Sequence, residues 1–132
     1  MPTERWLAFA VCVLAMPLVA QAHHSWGAVY DGGEGVTVDA TITSKPFRNP
    51  HNAVHAQIAG ATGELEPWTI EWRGQRRRDG EPPVQYDLNP GDAVVIEGRI
   101  ARDASTRKIQ MYTLVRPADG MSIDGRRRRD ER

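Results

Sequence analysis

The segment LNPGDAVVIEGRIA (residues 88–101) carries the clearest architectural signal in the chain. Its Asn-Pro-Gly-Asp start predicts a tight turn. After the turn, apolar residues recur at every second position, at Val94, Ile96 and Ile100, with Gly98 in the same row. A glycine inside a strand favours the local bending that a small barrel needs. The segment therefore predicts a half-buried, curved strand that follows a tight turn.

Four other segments also predict strands, because apolar and polar residues alternate between turn-forming residues. They are VTVDATIT (36–43), HNAVHAQIAG (51–60), EPWTIEWRG (66–74) and KIQMYTLVRP (108–117). The longest interruption lies between the third and fourth strands, where an OB-fold carries its helix or loop. We therefore expect an all-β domain, a small five-stranded OB-like antiparallel barrel, with an open β-sandwich as the alternative.

The first 22 residues predict a signal peptide. Arg5 precedes an apolar run, and Ala20-Gln21-Ala22 fits the pattern that signal peptidase reads. The run is shorter than the roughly 20 apolar residues that span a bilayer, so no retained membrane anchor is expected. We expect cleavage after Ala22, a periplasmic or secreted protein, one barrel domain at residues 23–117, and a disordered, arginine-rich tail at 118–132.

Composition narrows the class of partner. The 17 basic residues balance 17 acidic ones, so no overall charge draws the chain to nucleic acid, and a nucleic-acid partner is not expected. The one cysteine, Cys12, falls inside the predicted signal peptide, so the mature chain would have no disulfide. Stability must then come from packing.

Several motifs carry a resemblance to a known family. They are HHSWGAVYD (23–31), NPH (49–51), Trp68 and LNPGDAVVIEG (88–98). With them the chain resembles a family of small exported bacterial proteins of uncharacterised function, over about residues 23–117. The resemblance implies an exported domain of unknown activity. The arginine-rich segment RGQRRRDGEPPVQYD (73–87) departs from the family, whose members usually carry a longer, helix-prone segment there.

The mature amino terminus predicts a candidate metal site. Cleavage after Ala22 would leave His23 with a free α-amine beside its ring Nδ1, and these two nitrogens can chelate one ion. Their ordinary pKa values, about 7.7–8.0 for the amine and about 6.5 for the imidazole, allow both to lose protons to a metal near neutral pH. Copper is the first candidate because nitrogen donors suit Cu(II), with nickel or zinc behind it.

A third nitrogen donor would complete such a site. His51 and His55 lie four strand residues apart, about 13 Å, so only one of them can join His23. We favour His51, because the turn Asn49-Pro50 can orient its ring. His24 points away from His23 in an extended chain and remains an alternative donor.

Other interpretations stay open. The histidines can be solvated or bonded to nearby backbone, and Trp26 and Tyr30 can either form an aromatic lip for a ligand or close the end of the barrel. With Arg76 in its basic cluster, they would then serve a metal-free periplasmic interaction module that binds a protein, a saccharide or an anionic surface. The sequence has no nucleophile elbow and no carboxylate pair of defined spacing, so we expect a binding protein rather than an enzyme. An oxidative copper enzyme would rest on analogy alone.

Overall fold

A computed structural model describes residues 25–48, 50–74, 80, 82 and 84–126. They form a short helix, seven strands and one 3-10 turn. In chain order these are α1 (Trp26–Tyr30), β1 (Gly35–Ile42), β2 (Phe47–Arg48), β3 (Asn52–Ala59), β4 (Leu65–Trp72), β5 (Ala93–Ile100), the 3-10 turn (Ala104–Thr106), β6 (Lys108–Arg116) and β7 (Met121–Asp124).

Five of the strands close into a barrel. The hydrogen-bonded order is β1-β5-β6-β4-β3, and pairing of Thr41 with Gln57 and of Ile42 with Ala56 joins β3 back to β1. This closure confirms the OB-like barrel and makes the open sandwich wrong. The barrel is mixed rather than wholly antiparallel, because β4 and β6 run parallel where residues 69–71 meet residues 108–110.

Side chains from alternate positions of all five strands fill the barrel. Ile70, Trp72 and Ile96 are fully inaccessible, and Val36 and Val38 pack against the same core. Burial of such large apolar side chains is the main stabilising contribution in a domain of this size. The apolar faces that alternation predicts for β1, β3, β4 and β5 therefore line the core, and Ile109, Met111 and Leu114 of β6 join them.

Gly98 marks the bend of β5. The register with β6 shifts between Glu97 and Gly98, so that Tyr112 is the extra residue of a β-bulge. A Cβ atom at Gly98 would lie 2.2 Å from the carbonyl oxygen of Gln110. Close backbone approach, together with the bend, therefore explains the glycine.

Three short elements were not predicted: α1, β2 and β7. The prediction of a disordered tail from residue 118 is wrong for Met121–Asp124. These residues form β7, which pairs antiparallel with β6 from Thr113 to Arg116. Residues 127–132 lie outside the described residues. The alternation in HNAVHAQIAG predicts that Ala53 faces outward, opposite Val54, Ala56 and Ile58. That prediction is wrong: Ala53 is 2% exposed, because β2 and β4 flank it and α1 binds to the neighbouring Glu71.

The side chain of Arg116 joins the end of β6 to the long loop before β5 through bonds to three aspartates. Arg116 is buried and donates to Asp119 Oδ1 and Oδ2, to Asp92 Oδ2 at 2.7 Å, and to the backbone and side chain of Asp87. The hydrogen bonds from Arg116, together with one from the backbone N–H of Met121, lower the pKa of the Asp119 carboxyl to about 2. The backbone N–H of Asn89 and then Arg116 lower the pKa of Asp92.

Within the described ranges, no helix has the length and apolar character needed to cross a membrane.

Candidate functional site

Helix α1 lies at the beginning of the described chain and is tied to the barrel at several points. Ser25 caps it, its Oγ accepting from the backbone N–H of Ala28 at 3.1 Å. The backbone N–H of Arg102 donates to the carbonyl of Val29 at 2.8 Å, and Arg102 Nε donates to the carbonyl of Asp31 at 3.0 Å. The barrel, rather than helix propensity, therefore holds this single turn of helix in place.

Tyr30 anchors α1 to the outer face of β4. Its side chain is 1% exposed, and its hydroxyl donates to Glu71 Oε2 at 2.5 Å. Burial, together with the bond to Glu71 and the charge of that carboxylate, raises the pKa of Tyr30 well above its ordinary value. Lys108 Nζ lies 3.9 Å from Glu71 Oε1. Tyr30 is therefore a neutral, buried residue that packs α1 against β4.

Trp26 is the centre of an aromatic cluster at this edge of the barrel. Its ring centroid lies 4.9 Å from that of Tyr30 and 4.5 Å from that of His51, with the His51 ring at 85° to the indole. The guanidinium carbon of Arg73 lies 5.2 Å from the centroid of the same indole. We call these four residues, Trp26, Tyr30, His51 and Arg73, the Trp26 cluster.

The indole N–H of Trp26 is inaccessible to solvent and has no hydrogen-bond partner among the described residues. A buried donor without an acceptor costs free energy comparable to a lost hydrogen bond. An acceptor at this position would therefore stabilise the cluster.

The predicted metal ligands divide between the described and the undescribed chain. His51, partly buried directly before β3, belongs to the Trp26 cluster, whereas His23 and His24 lie outside the described residues, as do Asn49 and Arg76. Among the residues that the structure describes, no three His, Cys, Asp or Glu side chains are arranged to hold a metal ion. The metal site and the ligand contacts of Trp26, Tyr30 and Arg76 stay predictions.

His55 has different surroundings. It is exposed on the outer face of β3, its ring centroid lies 4.9 Å from that of Phe47, and its Nδ1 lies 3.4 Å from Thr69 Oγ1. No described contact joins His55 to the Trp26 cluster. The two histidines of the described chain therefore offer a matched pair, one inside the candidate site and one outside it.

Sequence reasoning missed two members of this region. The sequence marks Glu71 only as a carboxylate without a partner of defined spacing, and it does not single out Arg73. Both occupy odd positions of the strand segment whose even positions, Trp68, Ile70 and Trp72, are apolar. That alternation places Glu71 on the outer face, but it does not show that α1 returns to cover it.

Comparison with known proteins gives a family and no activity. No curated protein and no solved structure shows significant similarity to the chain. A family model, described as a family of unknown function (DUF6152), matches residues 10–110, which span α1, the strands β1 to β5 and the beginning of β6. The chain therefore belongs to this family of unknown function.

Proposed function

We propose that the protein is exported and binds Cu(II) at its mature amino terminus. His23 would supply its α-amine and its ring nitrogen, and His51 would supply a third nitrogen. Three nitrogen donors in one plane around the ion suit the tetragonal geometry of Cu(II). Such a protein would store, deliver or sense copper, and His24 is the alternative third donor.

One observation carries the proposal, which is the contact between the rings of His51 and Trp26. Trp26 follows His23 by three residues. Three extended residues span at most about 10 Å, and the two ring centroids are 4.5 Å apart. The covalent chain is therefore short enough for His23 to reach His51.

The buried indole N–H of Trp26 adds support. Docking of the residues just before Ser25 against the cluster would bring a carbonyl to this donor. Docking of residues 23 and 24 there would also hold the amino terminus close to His51. The charge of Arg73 opposes a cation and limits the affinity of the site.

The test uses protein that begins at His23, which retains every described element. Cu(II) affinity is measured by competition with a chelator, and nitrogen coordination is measured by electron paramagnetic resonance. A variant with two extra prolines before His23 cannot form the same amine–imidazole chelate, and the second proline has no backbone N–H that Cu(II) could displace. We expect it to bind Cu(II) at least tenfold more weakly, with an altered spectrum.

His51→Ala and His55→Ala form the matched pair for the third ligand. We expect His51→Ala to weaken binding about tenfold and to remove one nitrogen from the spectrum, whereas His55→Ala leaves both unchanged. Equal titration of the native and proline-extended proteins would contradict the proposal. An equal effect of the two alanine variants would contradict the role of His51.

The rival function, a metal-free interaction module, has one observation in its favour. Phe47 is 37% exposed on β2, and its ring contacts His55 on the outer face of the barrel. Aromatic residues, phenylalanine among them, are enriched in protein–protein interfaces relative to the rest of the surface. Under this function, Trp26→Ala or Arg76→Ala would reduce partner binding while His23→Ala and His51→Ala would not.

A further inference from the structure

The two edges of β1 face different strands. The backbone N–H of Ile42 donates to the carbonyl of Asp92, directly before β5, whereas the backbone N–H of Thr43 donates to the carbonyl of His55 on β3, each at 2.9 Å. Successive residues of a strand direct their backbone groups to opposite edges. The odd-numbered residues of β1 therefore direct theirs away from β5. They are Gly35, Thr37, Asp39 and Thr41.

Strand β3 covers only the end of this second edge. It pairs with β1 at Thr41 and Ile42, whereas β5 pairs with β1 from Gly35 to Thr41 on the other side. No described strand pairs with Gly35 or Thr37 on the side away from β5. Unpaired N–H and C=O groups along a strand edge are a template for another extended chain.

Side-chain exposure agrees with an uncovered edge. Val36 and Val38 face the barrel interior but are only partly buried, whereas Ala40 and Ile42, beside β3, are 6% and 1% exposed. Ile96, directly opposite Val38 on β5, is fully inaccessible. The exposure of the two valines therefore comes from the side where β3 has parted from β1, and an added strand would bury them.

A groove of about 370 Å³ begins on the outer face where β1 and β3 part, and Asp39, Ala59 and Leu65 are among its lining residues. Leu65 is 64% exposed, the most exposed large apolar side chain of the described chain. A chain that extends along the free edge of β1 would thus reach this groove with its end.

Charge identifies the kind of chain that fits. Asp39 is the charged side chain among the described residues that line the groove, and Glu34 directly precedes β1. Both are exposed, and neither forms an ion pair with a described basic side chain. An arginine suits the groove, because its methylene stem packs on apolar surface such as Leu65 while its head meets the carboxylate.

We infer that the free edge of β1 is a site for strand addition, and that its occupant is a basic, extended segment of a partner protein. The segment runs antiparallel to β1, in line with β3. Its backbone bonds to Gly35 and Thr37, its inward apolar side chains cover Val36 and Val38, and an arginine at its amino-terminal end enters the groove at Asp39. In this mode of recognition the main chain supplies affinity and the side-chain pockets supply specificity.

A second copy of the chain is a poorer occupant. Two β1 edges that pair antiparallel about Thr37 would bring Asp39 of each copy beside Gly35 and Glu34 of the other. Like charges that face each other across strands are destabilising. The same charges favour a basic partner.

The test uses the chain that begins at His23 and the synthetic peptide RVTVTK with both ends blocked. In the antiparallel register its valines lie opposite Val38 and Val36, its arginine lies at the level of Asp39 and its lysine at the level of Glu34. Two control peptides are EVTVTE, with the charges reversed, and RTVTVK, which has the same composition but places its valines on the wrong face. Binding is followed by backbone amide signals and amide hydrogen exchange.

Exchange of alternate amides distinguishes strand addition from side-chain docking. In the free protein we expect slow exchange at Val36 and Val38, whose N–H groups face β5, and fast exchange at Gly35 and Thr37. Bound RVTVTK is expected to slow exchange at Gly35 and Thr37 at least tenfold. The two control peptides are expected to bind at least fivefold more weakly.

Thr37→Pro removes the free N–H of the edge and no hydrogen bond to β5, and proline is tolerated at such a position. We expect it to weaken binding of RVTVTK at least tenfold while exchange at Val36 and Val38 stays slow, which reports an intact barrel. Thr37→Ala keeps the N–H and is the matched control, with an expected change of less than twofold.

Asp39→Asn tests the charge in a second variant that keeps the whole backbone. We expect at least fivefold weaker binding of RVTVTK at about 0.15 M salt, where exposed charges more than about 8 Å apart are largely screened. Glu97→Gln is the control, because Glu97 lies on β5, beyond β1 from the added strand, and has Arg126 at 3.8 Å. Its expected change is less than twofold.

Four outcomes would overturn the inference. The first is no binding of RVTVTK, or equal binding of the three peptides. The second is binding that leaves exchange at Gly35 and Thr37 fast, or that Thr37→Pro and Asp39→Asn do not weaken. The third is slow exchange at Gly35 and Thr37 in the free monomer, which would show that the chain covers its own edge. The fourth is a dimer of the free protein with these two amides protected, which would identify a second copy as the occupant.

Discussion

The hydroxyl of Tyr30 donates a 2.5 Å hydrogen bond to Oε2 of Glu71, a residue 41 positions later on the outer face of β4. This bond joins the one turn of α1 to the barrel wall. Trp26, one turn earlier, contacts the Tyr30 ring on one side and the His51 ring on the other. The position of the candidate metal site therefore depends on the attachment of Tyr30.

Tyr30→Phe removes this attachment while keeping the ring. A hydrogen bond to a charged acceptor contributes about 2 kcal/mol, so we expect the free energy of unfolding to fall by about that amount in urea titrations. Copper binding is expected to weaken as well, because Trp26 loses its support. The control is Tyr112→Phe, because the Tyr112 ring contacts Arg126 instead. We expect it to change the free energies of unfolding and of copper binding by no more than about 0.5 kcal/mol each. Equal losses in both variants would contradict the role of the bond.

The raised pKa of Tyr30 predicts a loss of stability in alkali. The folded protein holds the Tyr30 proton more tightly than the unfolded chain does. The contribution of the Tyr30 hydroxyl to the free energy of unfolding is therefore fully present below pH 10 and declines as the pH rises above that value. Unfolding curves measured from pH 8 to pH 11 should show a steeper decline for the native chain than for Tyr30→Phe, and parallel curves would contradict this assignment.

Arg73→Gln is expected to strengthen Cu(II) binding. Across about 10 Å of water, a guanidinium and a dication repel by about 0.8 kcal/mol, which corresponds to about fourfold in affinity. Arg107, near the opposite end of β4 and paired with Glu66 at 3.0 Å, supplies the control variant Arg107→Gln. The gain should shrink in high concentrations of a non-coordinating salt, and a loss of affinity in Arg73→Gln would contradict it.

Gly98→Ala tests the bend of β5. Its Cβ would lie 2.2 Å from the Gln110 carbonyl oxygen and 2.8 Å from Ile109 Cγ2, so the strand must shift. We expect a loss of about 2 kcal/mol in the free energy of unfolding. Gly35→Ala, on the neighbouring strand, meets nothing closer than 4.0 Å and is expected to cost less than about 0.5 kcal/mol. Similar stabilities of the two variants would show that β5 has room to relax.

The lowered pKa of Asp119 predicts how the free energy of unfolding changes in acid. Its pKa falls from 3.8 to about 2 on folding, first because Arg116 donates to it. A lowered carboxyl pKa contributes stability above about pH 4 that is lost as the pH falls through 2. Asp119→Asn should be less stable at neutral pH and should lose less between pH 4 and pH 2. Acid unfolding curves of the two proteins that differ by a constant amount would contradict this.

The five barrel strands could be predicted because their signal is local. In β1, β3 and β4 every second residue is apolar, and the position of Gly98 indicates the bend of β5. The short elements lacked such a signal. Five residues in α1 and four in β7 are too few to show a period, and β7 follows the polar turn at 117–120.

By itself the sequence determined the five barrel strands and most of the side chains that face the core, because alternation along a strand depends only on neighbouring residues. Tertiary structure alone decided that β4 and β6 run parallel, that Glu71 receives Tyr30, that His51 meets Trp26, and that Asp39 lies in a groove. Each of these depends on the register between strands far apart in the chain. That register is set by how the whole core packs, and no local pattern records it.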